Sequence, residues 1–180
     1  MDFESVIKSV IKDFNEYKIN YALIGGYAFG LWGVSRNTFD LDFLIDKKDR
    51  NELKNILAKY YYDVKYETEN VAQFISDLKP FGEIDVIYAF RKISLEMLGR
   101  ALEETVFEEI KIKVLIPEDL IGLKLQAIKN DPDRYHSDLL DIKELIIANK
   151  NRIDEGLLKR YFELFDSMEI YDKLIMDVGS

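Results

Sequence analysis

Apolar residues recur near the start of the chain as Phe3, Val6, Ile7, Val10, Ile11 and Phe14, the spacing of one buried helix face, so residues 3 to 17 read as an amphipathic helix packed on a core. The period then changes. "YALIG" is a short continuous apolar run and reads as a buried strand, the adjacent Gly25 and Gly26 begin a turn, and "YAFGLWG" follows as a short helix that Gly33 is suited to end. "FDLDFLI" is the next strand, alternating around Asp40 and Asp42. Helical period returns in "KKDRNELKNILAKYY", with Asp49 as the expected N-cap.

Three more strand patterns follow in "DVKYET", "AQFIS" and "GEIDVIYA", the last two joined by "DLKPFG", whose Pro80 and Gly82 mark a hairpin-like connection. "SLEMLGRALEE" reads as a short helix and "FEEIKIKVLI" as an alternating strand, while Pro117 sits well in the first turn of a helix over "EDLIGLKLQAIKN". Helices are expected near 135 to 148, 154 to 166 and 168 to 176. The order predicts an α+β fold, a mixed sheet flanked by helices with a C-terminal helical segment, and contains no internal repeat or low-complexity linker. A soft boundary near Pro117 divides residues 1–116 from residues 117–180 of what is expected to be one compact unit.

Composition narrows the chemistry. With 180 residues, 48% of them hydrophobic and 33% charged, the chain has the makings of an ordinary globular core. No apolar run approaches the roughly 20 residues that span a bilayer, and the acidic residues in "MDFESVIKSVIKDF" do not suit a signal peptide, so a cytoplasmic location is expected. The absence of cysteine removes disulfides, thiolate metal sites and cysteine nucleophiles, and the single histidine, His136, removes any multi-histidine metal cluster within one chain. Metal chemistry here must run on oxygen ligands. A formal net charge of -9 argues against broad, non-specific binding to nucleic acid, although Arg36, Lys47, Lys48, Arg50, Lys124, Lys129 and Arg134 leave room for a local basic groove.

Side chains alternate along a strand, so Asp40 and Asp42 share a face, roughly 7 Å apart along the backbone. Two carboxylates that close repel one another unless a positive group lies between them. A divalent cation resolves the conflict, and magnesium characteristically uses one or two protein carboxylates together with substrate phosphates. Asp85, flanked by Ile84 and Val86 in "EIDVIYAF", is a third acid inside an apolar strand, although Glu83 shares its face. Three acids on neighbouring strands suit two magnesium ions, or manganese, in phosphoryl or nucleotidyl transfer, and the diglycine allows backbone to approach a phosphate closely. Competing motifs fail: "GGYAFG" lacks the lysine and hydroxyl residue of a P-loop, Tyr27 breaks G-x-G-x-x-G, and Leu44 and Ile45 break a calcium loop.

"GG", a helix and then "R-N-T-x-D-L-D" in a strand resemble the signature of the nucleotidyltransferase fold superfamily. Three blocks together, "GGYAFGLWGVSRNTFDLDFLI", "EIDVIYAF" and "PEDLIGLKLQAIKNDPDRYHSDLLDIKELI", look like its minimal, toxin-associated branch typified by the AbiEii family, over about residues 21 to 148. The resemblance implies a nucleotidyltransferase-like mixed sheet and the transfer of a nucleoside monophosphate from an NTP to a hydroxyl of RNA or protein, with a cognate antitoxin protein as a further partner. It implies that Gly25 and Gly26 cradle the triphosphate, that Asp40, Asp42 and Asp85 bind metal, and that Asp85 assists metal binding or deprotonates the acceptor. Lys124 matches a downstream lysine expected at phosphate, and Asp138 and Asp141 match an acidic segment, with Ser137 where that branch often has a basic residue.

Plainer readings stand beside these. Asp40 and Asp42 read alternatively as solvated acids of an edge strand, Arg36 and Thr38 as nucleotide contacts or strand caps, and Lys124 as a lysine snorkelling from an apolar helix. His136 reads as a surface residue. A non-catalytic module of the same fold that binds a nucleotide or a partner is the alternative to an enzyme, and a phosphohydrolase lacks the usual histidine–aspartate pairing.

Overall fold

The structure, a computed structural model, describes residues 1–179. The chain forms two compact units: Met1–Ala28 with Arg36–Leu115, and Phe29–Ser35 with the chain from Ile116 onward.

In the first unit the opening amphipathic segment is helical, but it is not one uniform helix. α1 (Phe3–Val6) and α2 (Lys12–Glu16) are joined by a π-helical turn over Ile7–Ile11. The Ser9 carbonyl in this turn accepts from the Lys12 N–H and also, at 3.1 Å, from the Tyr60 hydroxyl. The apolar stripe is still continuous: Val6, Ile7, Val10, Ile11 and Phe14 are all buried.

Among the described residues seven strands make one mixed sheet: β1 (Tyr21–Ile24), β2 (Asp40–Asp46), β3 (Tyr62–Glu67), β4 (Val71–Ser76), β5 (Glu83–Ala89), β6 (Leu102–Val106) and β7 (Ile110–Val114), in the order β3-β4-β5-β2-β1-β7-β6. β2 runs parallel to β5 and β1 parallel to β7, and the other pairings are antiparallel. One face of the sheet presents Leu41, Phe43, Ile45, Ala72, Phe74, Ile84 and Val86, all buried, and Phe14 of α2 meets the rings of Tyr21 and Phe43 edge-on at 5.2 and 5.5 Å. The opposite face of β2, β4 and β5 carries Asp40, Asp42, Gln73, Glu83 and Asp85, all partly exposed. The same alternation that builds the core thus delivers the acids to the other side.

α3 (Gly25–Leu31) starts directly after β1, and Gly33, at φ +83°, stops it, with the Val34 N–H bonding back to the Phe29 carbonyl. α4 (Arg50–Ala58) is entered through a 3-10 turn over Lys47–Asp49. Asp49 occupies the cap position of α4 but does not cap it; its carboxylate accepts from the Asn20 N–H at 2.8 Å, while Asp46 caps the 3-10 turn through the Lys48 N–H. α5 (Lys92–Arg100) ends at Ala101, earlier than expected, and "LEETV" is strand β6. The β6–β7 turn is made by Phe107 and Glu108, both with positive φ, a hairpin without the glycine or asparagine that normally announces one.

The second unit is helical: α6 (Pro117–Asn130), α7 (Tyr135–Ala148), α8 (Glu155–Leu164) and α9 (Met168–Gly179). Pro117 stands in the first turn of α6, as expected. Leu120, Ile121, Leu125, Ile142, Leu145, Leu158 and Phe162 form its core. α6 and α8 approach closely at Gly122, where a Cβ would lie 2.7 Å from the Tyr161 ring, and the Tyr161 hydroxyl donates to the buried Asp119 carboxylate at 2.6 Å.

Candidate active site and metal centre

The parallel pairing of β2 and β5 sets Asp40 opposite Glu83 and Asp42 opposite Asp85. Asp40, Asp42 and Asp85 each offer a carboxylate oxygen, and these oxygens all lie within 4.8 Å of one another. The expected constellation is therefore assembled, on two adjacent interior strands rather than on an edge strand. All three carboxylates are half-buried. Burial foremost, then the negative charges of Glu83 and Asp40, pushes Asp85 above the usual aspartate range, against the lowering effect of Gln73 and Lys65. Hard oxygen ligands packed this closely, in mutual repulsion and still reachable by solvent, fit a divalent cation such as magnesium or manganese.

The two glycines shape this centre. Gly25 has φ +66°, and a Cβ there would fall 1.9 Å from Asp42 Oδ2, so a side chain is excluded both by backbone conformation and by the carboxylate itself. A Cβ at Gly26 would lie 2.7 Å from the Thr38 Cβ and 2.8 Å from its Oγ1. The Thr38 hydroxyl lies 2.9 Å from Asp40 Oδ1, to which it donates. Thr38 thus links the glycine turn to Asp40 at the start of β2. Arg36 lies exposed on the same connection.

Lys124, Asp138 and Asp141 form a separate cluster in the second unit. The Lys124 ammonium lies 2.7 Å from Asp138 Oδ1 and 2.7 Å from Asp141 Oδ2, and 5.5 Å from the centre of the Phe29 ring. Arg134 Nε donates to Asp138 Oδ2 at 2.8 Å. Burial alone would raise Asp138, but the hydrogen bonds from Arg134 and Lys124 outweigh it and hold the carboxyl below its usual range. His136 is exposed against Tyr135.

The other basic groups expected to leave room for a groove are engaged with acids: Lys47 with Glu69, Lys48 with Asp46, Arg50 with Glu67 and Lys129 with Asp166. Gln73 escaped the sequence reading. It faces Asp85 across the β4–β5 pair, and its signal was a polar residue alternating with Ala72 and Phe74 on an otherwise apolar strand.

Comparison with solved structures finds the same fold in distant relatives. Antibiotic-resistance factor ANT(2'')-Ia superposes with a TM-score of 0.64 at 16% identity, covering 96% of this chain and 99% of that one. The lincosamide antibiotic adenylyltransferase LnuA gives 0.55 at 17% identity, over 79% of this chain and 95% of its own. An antigenic nucleotidyltransferase-like protein from Paracoccidioides brasiliensis gives 0.57 at 16% identity, over 96% and 92%. At such identities the likeness is one of fold. Among curated proteins none matches the chain by sequence. The α+β architecture, with its mixed sheet, flanking helices and C-terminal helical region, is nucleotidyltransferase-like. A family model matches residues 3–175, so the acids brought together on β2 and β5 belong to a chain that is a member of the family described as nucleotidyl transferase of unknown function (DUF2204).

Proposed function

We propose that this protein is a metal-dependent enzyme that transfers a nucleoside monophosphate from an NTP to an acceptor hydroxyl and releases pyrophosphate. The observation that carries the reading is the convergence of Asp40, Asp42 and Asp85 oxygens within 4.8 Å of one another beside the Gly25–Gly26 turn. These three carboxylates would hold two magnesium ions, or manganese. Magnesium, when bound, neutralises phosphate charge and favours departure of pyrophosphate.

The residues supply position. Gly25 and Gly26 let the triphosphate rest against backbone, and Thr38 fixes Asp40 for its ligand role. Arg36 contributes positive charge to the nucleotide from the connection between α3 and β2. Lys124, a phosphate contact on the strength of the sequence resemblance, is paired within the second unit with Asp138 and Asp141. Asp85, raised by burial, takes the proton from the acceptor hydroxyl as that oxygen attacks the α-phosphorus and the bond to the β-phosphate oxygen breaks. Catalysis rests mainly on orientation and charge placement.

The acceptor is read as RNA or protein, and the transfer as the toxin half of a toxin–antitoxin pair, on the strength of the three AbiEii-like sequence blocks. Because LnuA is a lincosamide adenylyltransferase, small hydroxylated molecules also belong in any acceptor panel. The test is incubation of wild type and the Asp40→Ala/Asp42→Ala variant with each α-labelled NTP, magnesium, a cytoplasmic extract and that panel. Label carried to an acceptor by wild type alone supports the enzyme and names the acceptor class. Magnesium-dependent NTP binding without transfer would replace it with a nucleotide-binding module. For the toxin reading, induced expression should arrest growth in wild type and not in Asp42→Ala; equal growth of both would remove it.

A further inference from the structure

Gln73 is partly exposed on the same sheet face as the acids, and it lies directly opposite Asp85 in the antiparallel β4–β5 pair. Its amide nitrogen donates to Glu83 Oε1. An amide NH2 has two hydrogens, so one neutral group can serve both acids at once.

Glu83 makes this arrangement consequential. It stands opposite Asp40 in the β2–β5 register, two residues before Asp85, with its side chain on the same face. A fourth carboxylate beside three metal-ligating ones can compete for the cation, or turn Asp85 aside by repulsion. Gln73 occupies the side of both acids that faces β4.

We propose that Gln73 is a positioning residue, whose amide ties Glu83 back and orients Asp85 toward Asp40 and Asp42, so that the cation meets three carboxylates rather than four. This rests on the reading of Asp40, Asp42 and Asp85 as metal ligands. Groups that hydrogen-bond to metal ligands commonly alter metal affinity by about 10–100-fold when removed, because they fix the ligand's orientation.

The experiment titrates Mn2+ into the full chain without nucleotide and follows bound ion by electron paramagnetic resonance, for wild type, Gln73→Met, Gln73→Glu and Asp42→Ala. Gln73→Met keeps the length of the side chain and lacks donors; Gln73→Glu presents acceptors alone and guards against one variant failing to fold. Thermal melts are run in parallel. The expected result is Mn2+ binding by wild type, its loss in Asp42→Ala, an affinity shifted by about tenfold or more in both Gln73 variants, and a changed Mn2+ spectrum as Glu83 joins the ion. Lower melting temperature with wild-type Mn2+ affinity and spectrum would show a merely structural Gln73 and overturn this proposal while leaving the metal centre intact. No Mn2+ binding by wild type, or unimpaired binding by Asp42→Ala, would overturn the metal-centre reading and this proposal with it.

Discussion

At Gly25 the space that a methyl group would take is filled by an oxygen of Asp42. Gly25→Ala therefore faces two penalties: about 1–2 kcal/mol for the left-handed backbone and the displacement of a carboxylate from the candidate metal centre. Gly30, exposed within α3, meets nothing within 4 Å, and Gly30→Ala should stabilise the chain by about 0.5–1 kcal/mol through helix propensity. Urea unfolding of both variants should move in opposite directions, and matching shifts would contradict the contact with Asp42. Lys124→Met should cost about 3–5 kcal/mol, since it strips a cation from two buried carboxylates; a loss below about 0.5 kcal/mol by the same measurement would show that pair to be weakly formed. The triad was legible because each acid interrupts an apolar alternation. The contacts of Gly25 with Asp42 and of Gly26 with Thr38 were not, since sequence spacing shows a turn without showing what packs into it. Gln73 was obscured for another reason: one polar residue on a half-exposed strand face looks like any solvated position.

Elements were legible where period and punctuation agreed. Pro117 opens α6 and Gly33 closes α3 because each residue's backbone preference suits those sites. The start of β6 was misread as an extension of α5 because its edge position leaves Leu102, Glu103 and Glu104 without a clear buried stripe, and because Phe107 and Glu108 turn the chain without a typical turn residue. Asp49 was misassigned as a cap because its competing partner, Asn20, is remote in sequence. Three elements meet at Glu67 of β3, which binds Arg50 Nε of α4 at 2.8 Å, Lys54 Nζ at 2.5 Å and the Tyr88 hydroxyl of β5 at 3.1 Å. Arg50 foremost, with Lys54 and Tyr88 acting against burial, lowers Glu67 from 4.5 to about 2. A depressed carboxylate contributes its stability above the unfolded value and loses it as pH falls through the folded one. Wild type should thus be more stable than Glu67→Gln near neutrality, with the gap closing from pH 4.5 toward pH 2. Urea unfolding across that range checks it; a gap of constant size would mean that ionised Glu67 adds nothing.

Across the whole molecule, acidic residues outnumber basic ones by 34 to 25, and many of the basic groups are already paired. Repulsion within the triad adds a local strain of the same sign, which a bound cation relieves. Mn2+ should therefore raise the melting temperature of wild type, by an amount equivalent to about 2.7 kcal/mol at a hundredfold excess over Kd, and leave Asp40→Ala/Asp42→Ala almost unchanged. Differential scanning fluorimetry against matched ionic strength reads this directly, and equal shifts in both proteins would point to general screening. Strand order was the feature least available from sequence, because the β1–β7 pairing joins segments remote along the chain with parallel polarity. That pairing also has a consequence for synthesis. β2 and β5, and with them the acids, are available once Ala89 has left the ribosome, but β1 keeps one hydrogen-bonding edge uncovered until Val114 follows. At ordinary rates of elongation this interval of about 25 residues lasts about one to five seconds. The nascent chain thus acquires the means to gather its charged cluster before it can shield an interior strand, and in that interval the open edge of β1 is available to other polypeptides.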